Sequence, residues 1–273
     1  MDHNNSIVKE DFDITISGRP VRVRKITAPE HPRGENHPVL VFLHEGLGCI
    51  DMWRDFPEKL VMATGRDALI YDRFGHGYSA RLNHVRTVRY LEDEALLILP
   101  EILDACGVDN SILIGHSDGG SIALIFASKH PEKVKGLITE AAHVFVEEIT
   151  IKGIEKTVQL YNSSNLKKKL TRYHGEKTED LFNAWANIWL SDDFLSWNIE
   201  SYLARVISPS LIIQGRNDEY GTIRQVDAIT SQLSGPAEPY IVPGCGHSPH
   251  YQSKEMVLEK MIQFIHRAIN SET

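Results

Sequence analysis

Six compact apolar runs limit what this chain can fold into: VLVFLH (39–44), ALIYD (68–72), SILIGH (111–116), VKGLITEA (134–141), SLIIQG (210–215) and PYIVPG (239–244). A strand with one wet face alternates apolar and polar residues, whereas a strand covered on both faces is apolar throughout. These runs are of the second kind. Between most of them lie segments of helical periodicity, at 87–105, 119–128, 223–233 and 254–269. Buried strands alternating with helices predict a mostly parallel sheet with helices on both faces. The chain opens differently, because residues 12–17 and 21–26 alternate apolar with polar across Gly18-Arg19-Pro20, which predicts an antiparallel hairpin. The expected fold class is therefore α/β, an eight-stranded and mostly parallel sheet carrying an N-terminal antiparallel hairpin.

The strand–helix alternation breaks once, over 143–207, an interval too long for an ordinary crossover and rich in aromatic residues at Tyr161, Tyr173, Phe182, Trp185, Trp189, Phe194 and Trp197. This interval is expected to be a helical cap inserted between two parts of one core, 1–142 and 208–273. Its aromatic residues can glue the cap to itself or line a pocket. Pockets are apolar and form where one lobe meets another, so some of the group is expected to face a ligand. Trp185 and Trp189, with His143, Glu45 and Leu47, are the expected pocket residues.

A net charge of −8 argues against nucleic acid as a partner, since phosphate binding needs a basic surface. The Lys167-Lys168-Lys169 run is the one local basic cluster and reads as a solvated helix face. The start MDHNNSIVKED carries acids where a secretion signal needs basic residues, and no window reaches the roughly 18 apolar residues of a membrane span. A cytoplasmic protein without membrane contact is expected. Three widely spaced cysteines, Cys49, Cys106 and Cys245, suggest reduced thiols rather than a disulfide framework. His247 and His250 are a pair without a third ligand, so no metal is expected, and neither a glycine-rich nucleotide loop nor a P-loop is present.

The strand ending at His116 runs into Gly115-His116-Ser117-Asp118-Gly119, and a helix is expected from Gly119 onward. A G-x-S-x-G between strand and helix holds a serine on a sharp turn whose neighbours leave no room for side chains. The following helix adds exposed N–H groups and a positive dipole end, which suit a negatively charged oxygen. A serine needs a base, and the base needs an orienting acid. His247 lies in a glycine-flanked loop after the last strand, with His250 nearby as the lesser candidate. Asp218 follows the strand SLIIQG; Glu219 and, more seriously, Glu140 are rival acids.

In these features the chain resembles the α/β-hydrolase superfamily over nearly its whole length, the cap being the divergent part. The resemblance rests on Leu43-His44-Glu45-Gly46-Leu47-Gly48, Asp72-Arg73-Phe74-Gly75-His76-Gly77-Tyr78-Ser79, Gly115 to Gly120, Gly215 to Asp218 and Gly244 to His247, in that order. It implies Ser117 as nucleophile, His247 as general base, Asp218 as orienting acid, and backbone N–H groups of Asp118 and Gly46 as the oxyanion hole. Glu45 stands where the family usually has glycine. A carboxylate opposes an oxyanion, so its side chain is expected to point away, toward a cation such as Arg73, and Glu45, Gly46 and Leu47 all remain possible second donors.

Dehalogenases and epoxide hydrolases of this fold carry an aspartate at the nucleophile position, so Ser117 argues against those chemistries. Valacyclovir hydrolase-like enzymes look similar in having Ser-Asp-Gly-Gly. The expected function is a cofactor-free serine hydrolase acting through an acyl-enzyme on a small to medium carboxylic ester, thioester or lactone, with a small molecule as its partner. The same triad also suits carbon–carbon bond hydrolysis, acyl transfer or cofactor-free perhydrolysis. A hydrolase-shaped binding or signalling protein is the reading from another class.

Overall fold

The computed structural model describes residues 6–29 and 37–270. The first five residues of the N-terminal stretch, and with them the outer ends of both expected core parts, lie outside that range. The strands are β1 (Val8–Ile16), β2 (Arg19–Thr27), β3 (Val39–Leu43), β4 (Ala68–Tyr71), β5 (Ser111–His116), β6 (Val134–Glu140), β7 (Ser210–Gly215) and β8 (Ala237–Val242). The helices are α1 (Phe56–Thr64), α2 (Tyr90–Asp93), α3 (Leu99–Ala105), α4 (Asp118–Lys129), α5 (Glu148–Ser163), α6 (Leu166–His174), α7 (Thr178–Trp189), α8 (Glu200–Leu203), α9 (Ile223–Gln232), α10 (Pro249–Gln252) and α11 (Lys254–Asn270).

One sheet holds all eight strands in the order β1-β2-β4-β3-β5-β6-β7-β8. The first two pairings, β1 with β2 and β2 with β4, are antiparallel, and every later one is parallel. Ile16 pairs with Arg19, so Ser17 and Gly18 form a two-residue turn with φ of 47° and 74°. Positive φ at both turn positions matches the twist of the flanking strands.

The apolar runs are continuous because both faces are covered. Leu40, Phe42, Ile112, Ile114, Ile138, Leu211 and Ile213 face a core that includes Leu60 and Val61 of α1 and Val257, Met261 and Ile265 of α11. Their neighbours Val41, Leu43, Leu113, Leu137 and Ile212 face the opposite core, with Ile102 and Leu103 of α3, Ile122 and Phe126 of α4, and Val226 and Ile229 of α9. α4 is buried along nearly its full length. Burying both faces in this way is what seats a helix start, and Ser117 before it, at the middle of the sheet.

Two expected elements differ in detail. The helical span 87–105 divides into α2, a wide π-type turn at Glu94–Ile98, and α3. Pro100 is the physical reason: it has no N–H to donate back one turn, and its ring crowds the carbonyl there. β8 starts two residues earlier than the apolar run and contains Pro239, tolerated because this edge strand is laddered on one side only. Helices α5 to α8 occupy the interval between β6 and β7. Among the described residues no helix is long and apolar enough to cross a membrane.

Candidate active site

Ser117 sits between β5 and α4 with φ 52° and ψ −116°, a backbone conformation that costs energy for any residue with a Cβ. Its surroundings leave no alternative. A Cβ on Gly115 would stand 2.2 Å from the carbonyl oxygen of Gly119, and a Cβ on Gly119 would stand 2.0 Å from that of Leu43. Only glycine at both positions lets the strand, the turn and α4 close on one another. The Ser117 N–H donates to the Glu140 carbonyl at the end of β6 (2.8 Å), which ties the turn to the neighbouring strand.

His247 arrives from the loop after β8 and Asp218 from the loop after β7. The His247 Nδ1 lies 2.8 and 2.9 Å from the two carboxylate oxygens of Asp218, whose side chain is fully buried. Asp218 also accepts from the Gln214 amide (2.7 Å) and the Tyr220 N–H (2.8 Å). With the carboxylate on Nδ1, that nitrogen carries the hydrogen and Nε2 is left as the acceptor. Burial alone would push the His247 pKa down, yet the adjacent Asp218 charge and hydrogen bond outweigh it and hold it above the usual histidine range. Asp218 shows the converse: burial would raise its pKa, and the His247 charge and the hydrogen bonds bring it below the usual value. The His247 carbonyl accepts from His116 Nε2 at 2.7 Å, so the residue before the serine anchors the loop that carries the histidine.

Ser117 and His247 open on one cavity of about 230 Å³. No hydrogen bond joins their side chains directly, as is common where no substrate is bound. Its other walls are Glu45, Gly46 and Leu47 from the loop after β3, Thr150, Ile154 and Thr157 from α5, Trp185 and Trp189 from α7, and His143, Glu219 and Tyr220. All five expected pocket residues, Glu45, Leu47, His143, Trp185 and Trp189, thus line it. The remaining aromatic residues of the inserted helices pack mainly on one another: Phe194 stacks on Trp197 with centroids 5.2 Å apart, and Tyr161 on Phe182 at 3.7 Å.

The loop after β3 corrects one expectation. The Glu45 carboxylate does not reach Arg73; it folds back, and its Oε2 accepts the Leu47 N–H at 2.6 Å. That bond occupies the Leu47 N–H, so Leu47 is removed as a backbone donor to a ligand. Among the described residues no protein group accepts the Gly46 or Asp118 N–H. Arg73 instead serves the loop from behind: its Nη2 donates to the Glu45 carbonyl (2.8 Å), and its Nη1 lies 3.4 Å from the Asp118 carboxylate. Burial raises the Glu45 carboxyl above its usual range, with Leu47 N–H and Arg73 acting against that shift.

The Asp118 side chain stands in the first turn of α4, where an acid favours the helix dipole. The structure gives that side chain more specific partners, Arg73 and the Tyr90 hydroxyl, which donates at 2.9 Å. Tyr90 in turn accepts from the Trp189 indole N–H at 2.8 Å. The chain Trp189–Tyr90–Asp118 thereby links α7 to the residue after the serine. Sequence reasoning missed Tyr90, Tyr220, Thr150, Thr157 and His116 as parts of the site. Only His116 carried a signal, through its place inside the G-x-S-x-G. Among the described residues no group of three or more His, Cys, Asp or Glu side chains is arranged to hold a metal ion.

Comparison with known proteins gives consistent matches. A family model described as "alpha/beta hydrolase fold" matches residues 38–191. The 2-hydroxy-6-oxononadienedioate/2-hydroxy-6-oxononatrienedioate hydrolase of Klebsiella pneumoniae is 27% identical over 262 residues, covering 86% of this chain and 89% of that protein. The proline iminopeptidase of Saccharolobus solfataricus is 25% identical over 265 residues, covering 83% and 84% respectively. Among solved structures, the 2-hydroxy-6-oxo-6-phenylhexa-2,4-dienoate hydrolase of Rhodococcus sp. strain RHA1 superposes with a TM-score of 0.80 at 13% identity, covering 96% of this chain and all of that one.

Proposed function

The chain belongs to the alpha/beta hydrolase family, and from that premise we propose that it is a serine hydrolase cleaving a small to medium carboxylic ester, or a thioester or lactone, through an acyl-enzyme. The observation that carries this reading is the Asp218–His247 pair opening on the same cavity as a serine held at φ 52°. His247 Nε2 takes the Ser117 proton as Oγ attacks the acyl carbon. The carbonyl electron pair moves onto oxygen, which accepts from the N–H groups of Asp118 and Gly46 at the start of α4 and in the loop after β3. The tetrahedral intermediate collapses, the alkoxide or thiolate leaves with the proton from His247, and water activated by the same histidine releases the acid. Loss of one oxyanion donor costs about 2.7–4 kcal/mol of transition-state stabilisation.

A second reading, hydrolysis of a carbon–carbon bond, is favoured by the likeness to the Klebsiella dienedioate hydrolase. A dienedioate carries two carboxylates, however, and among the described residues no lysine or arginine lines this cavity to receive them. A cytoplasmic location and a small-molecule partner fit the same proposal. The test is turnover of a panel of short nitrophenyl esters and labelling by a fluorophosphonate, each compared with Ser117→Ala. Loss of both in the variant is the expected result; activity that survives it rejects Ser117 as the nucleophile.

A further inference from the structure

We infer that the acyl group accepted by the Ser117 cavity carries an ammonium, and that Glu45 and Glu219 set this preference. The inference rests on the serine-hydrolase reading above and names the substrate class of that site.

Charge and hydrogen-bond accounting of the cavity wall leads there. Three acidic residues, Glu45, Asp118 and Glu219, line it, Asp218 stands behind His247, and no lysine or arginine lines it among the described residues. Two of these carboxylates are already matched: Asp118 by Arg73 and the Tyr90 hydroxyl, and Asp218 by His247, Gln214 and the Tyr220 N–H. The other two are half used. Glu45 takes the Leu47 N–H on Oε2, and Glu219 takes the His247 N–H on Oε2 at 3.2 Å. Neither second oxygen receives a hydrogen bond from the described residues.

An independent observation comes from His143, which lines the cavity at 3% exposure. Its Nε2 lies 3.0 Å from the Tyr220 carbonyl, an acceptor, so Nε2 carries the hydrogen and Nδ1 is a bare acceptor. That Nδ1 is buried without a partner. Burial, reinforced by the His247 charge, disfavours a second proton on the ring. A buried acceptor without a donor is costly and calls for one from the ligand.

Three hydroxyls of the wall, those of Thr150, Thr157 and Tyr220, are already engaged. Thr150 donates to the Tyr220 carbonyl at 2.6 Å, and the Thr157 and Tyr220 hydroxyls are bonded to each other at 2.5 Å. Apart from the N–H groups of Gly46 and Asp118 and the hydroxyls of Ser117 and Ser248 close to the reacting centre, and the neutral Trp185 indole beside Gly46, the wall presents surplus acceptors and negative charge. An ammonium brings three N–H donors and the compensating charge. A carboxylate in the same place meets like charge and finds no cation.

The test uses three benzyl esters of matched length: 6-aminohexanoate, heptanoate and the monoester of adipate. We expect kcat/KM to fall in that order, with ammonium over carboxylate by roughly a hundredfold and Glu45→Gln and Glu219→Gln each shrinking that ratio about tenfold. Ser117-dependent turnover in which the adipate monoester equals or exceeds the aminohexanoate ester, or a ratio unchanged in both variants, overturns the inference and leaves the hydrolase reading intact. Absence of Ser117-dependent turnover of any ester overturns the hydrolase reading, and the inference falls with it. Glu219 is at the exposed rim, so its variant reports even if Glu45→Gln disturbs the loop.

Discussion

Glu140 Oε2 accepts both the backbone N–H and the ring Nδ1–H of His250, each at 2.9 Å. Two acid–histidine pairs therefore stand side by side, Glu140–His250 from the end of β6 and Asp218–His247 from the loop after β7. The His116 ring lies between them, its centroid 5.0 Å from that of His250 and 5.3 Å from that of His247. Only the second pair opens on the Ser117 cavity. Asp218→Asn should lower kcat by about 10⁴, because the amide can hold His247 in the wrong tautomer. Glu140→Gln should leave kcat within about tenfold while lowering the melting temperature, since it weakens a buried pair. Steady-state kinetics and thermal unfolding on both variants check this, and a larger kcat loss in Glu140→Gln reverses the assignment.

The pH dependence follows from the same pair. Protonated His247 cannot take the Ser117 proton, and Asp218 holds its pKa above the usual histidine range against the effect of burial, so kcat/KM should fall as pH drops through that raised value. Removing the carboxylate leaves burial in control, which lowers the histidine pKa. Histidine NMR titration of Asp218→Asn should show the His247 transition moved down. For stability, the charged pair contributes between the depressed Asp218 pKa and the raised His247 pKa. That contribution is lost as pH falls through the first or rises through the second.

Tyr90 stands between Trp189 at the end of α7 and Asp118 at the start of α4. Tyr90→Phe leaves the Trp189 N–H without an acceptor and takes one donor from Asp118. The expected cost is about 1–3 kcal/mol, which lowers the melting temperature by several degrees in a chain of this size. Because Asp118 also offers the backbone N–H beside Ser117, kcat should fall more than KM rises.

Gly119→Ala is expected to be among the most damaging small substitutions. The new methyl meets a backbone carbonyl, that of Leu43 at 2.0 Å, which cannot rotate away as a side chain would. A loss of about 3 kcal/mol or more, or failure to fold, should appear in thermal or denaturant unfolding. Gly244→Ala, with open space around it but φ of 66°, should cost only about 1 kcal/mol.

Local pattern by itself determined the sheet, the hairpin and the places where chemistry could sit. Continuous apolar runs require two covered faces, and Gly115 answers to the Gly119 carbonyl four residues on. These are short-range constraints, and short-range constraints are written in spacing. Partner choice was decided only by tertiary structure. Glu140 ends β6 and Asp218 lies just past β7, while His247 and His250 both follow β8, three residues apart; which acid meets which histidine depends on how these segments pack. The same holds for Arg73, which the sequence offers to Glu45 and the fold gives to Asp118. Tyr90 and Trp189 lie ninety-nine positions apart in the chain and share a hydrogen bond, because the end of α7 comes against the start of α2. Sequence spacing carries no record of such distant closures, and it is they that shape the cavity and leave its unfilled acceptors.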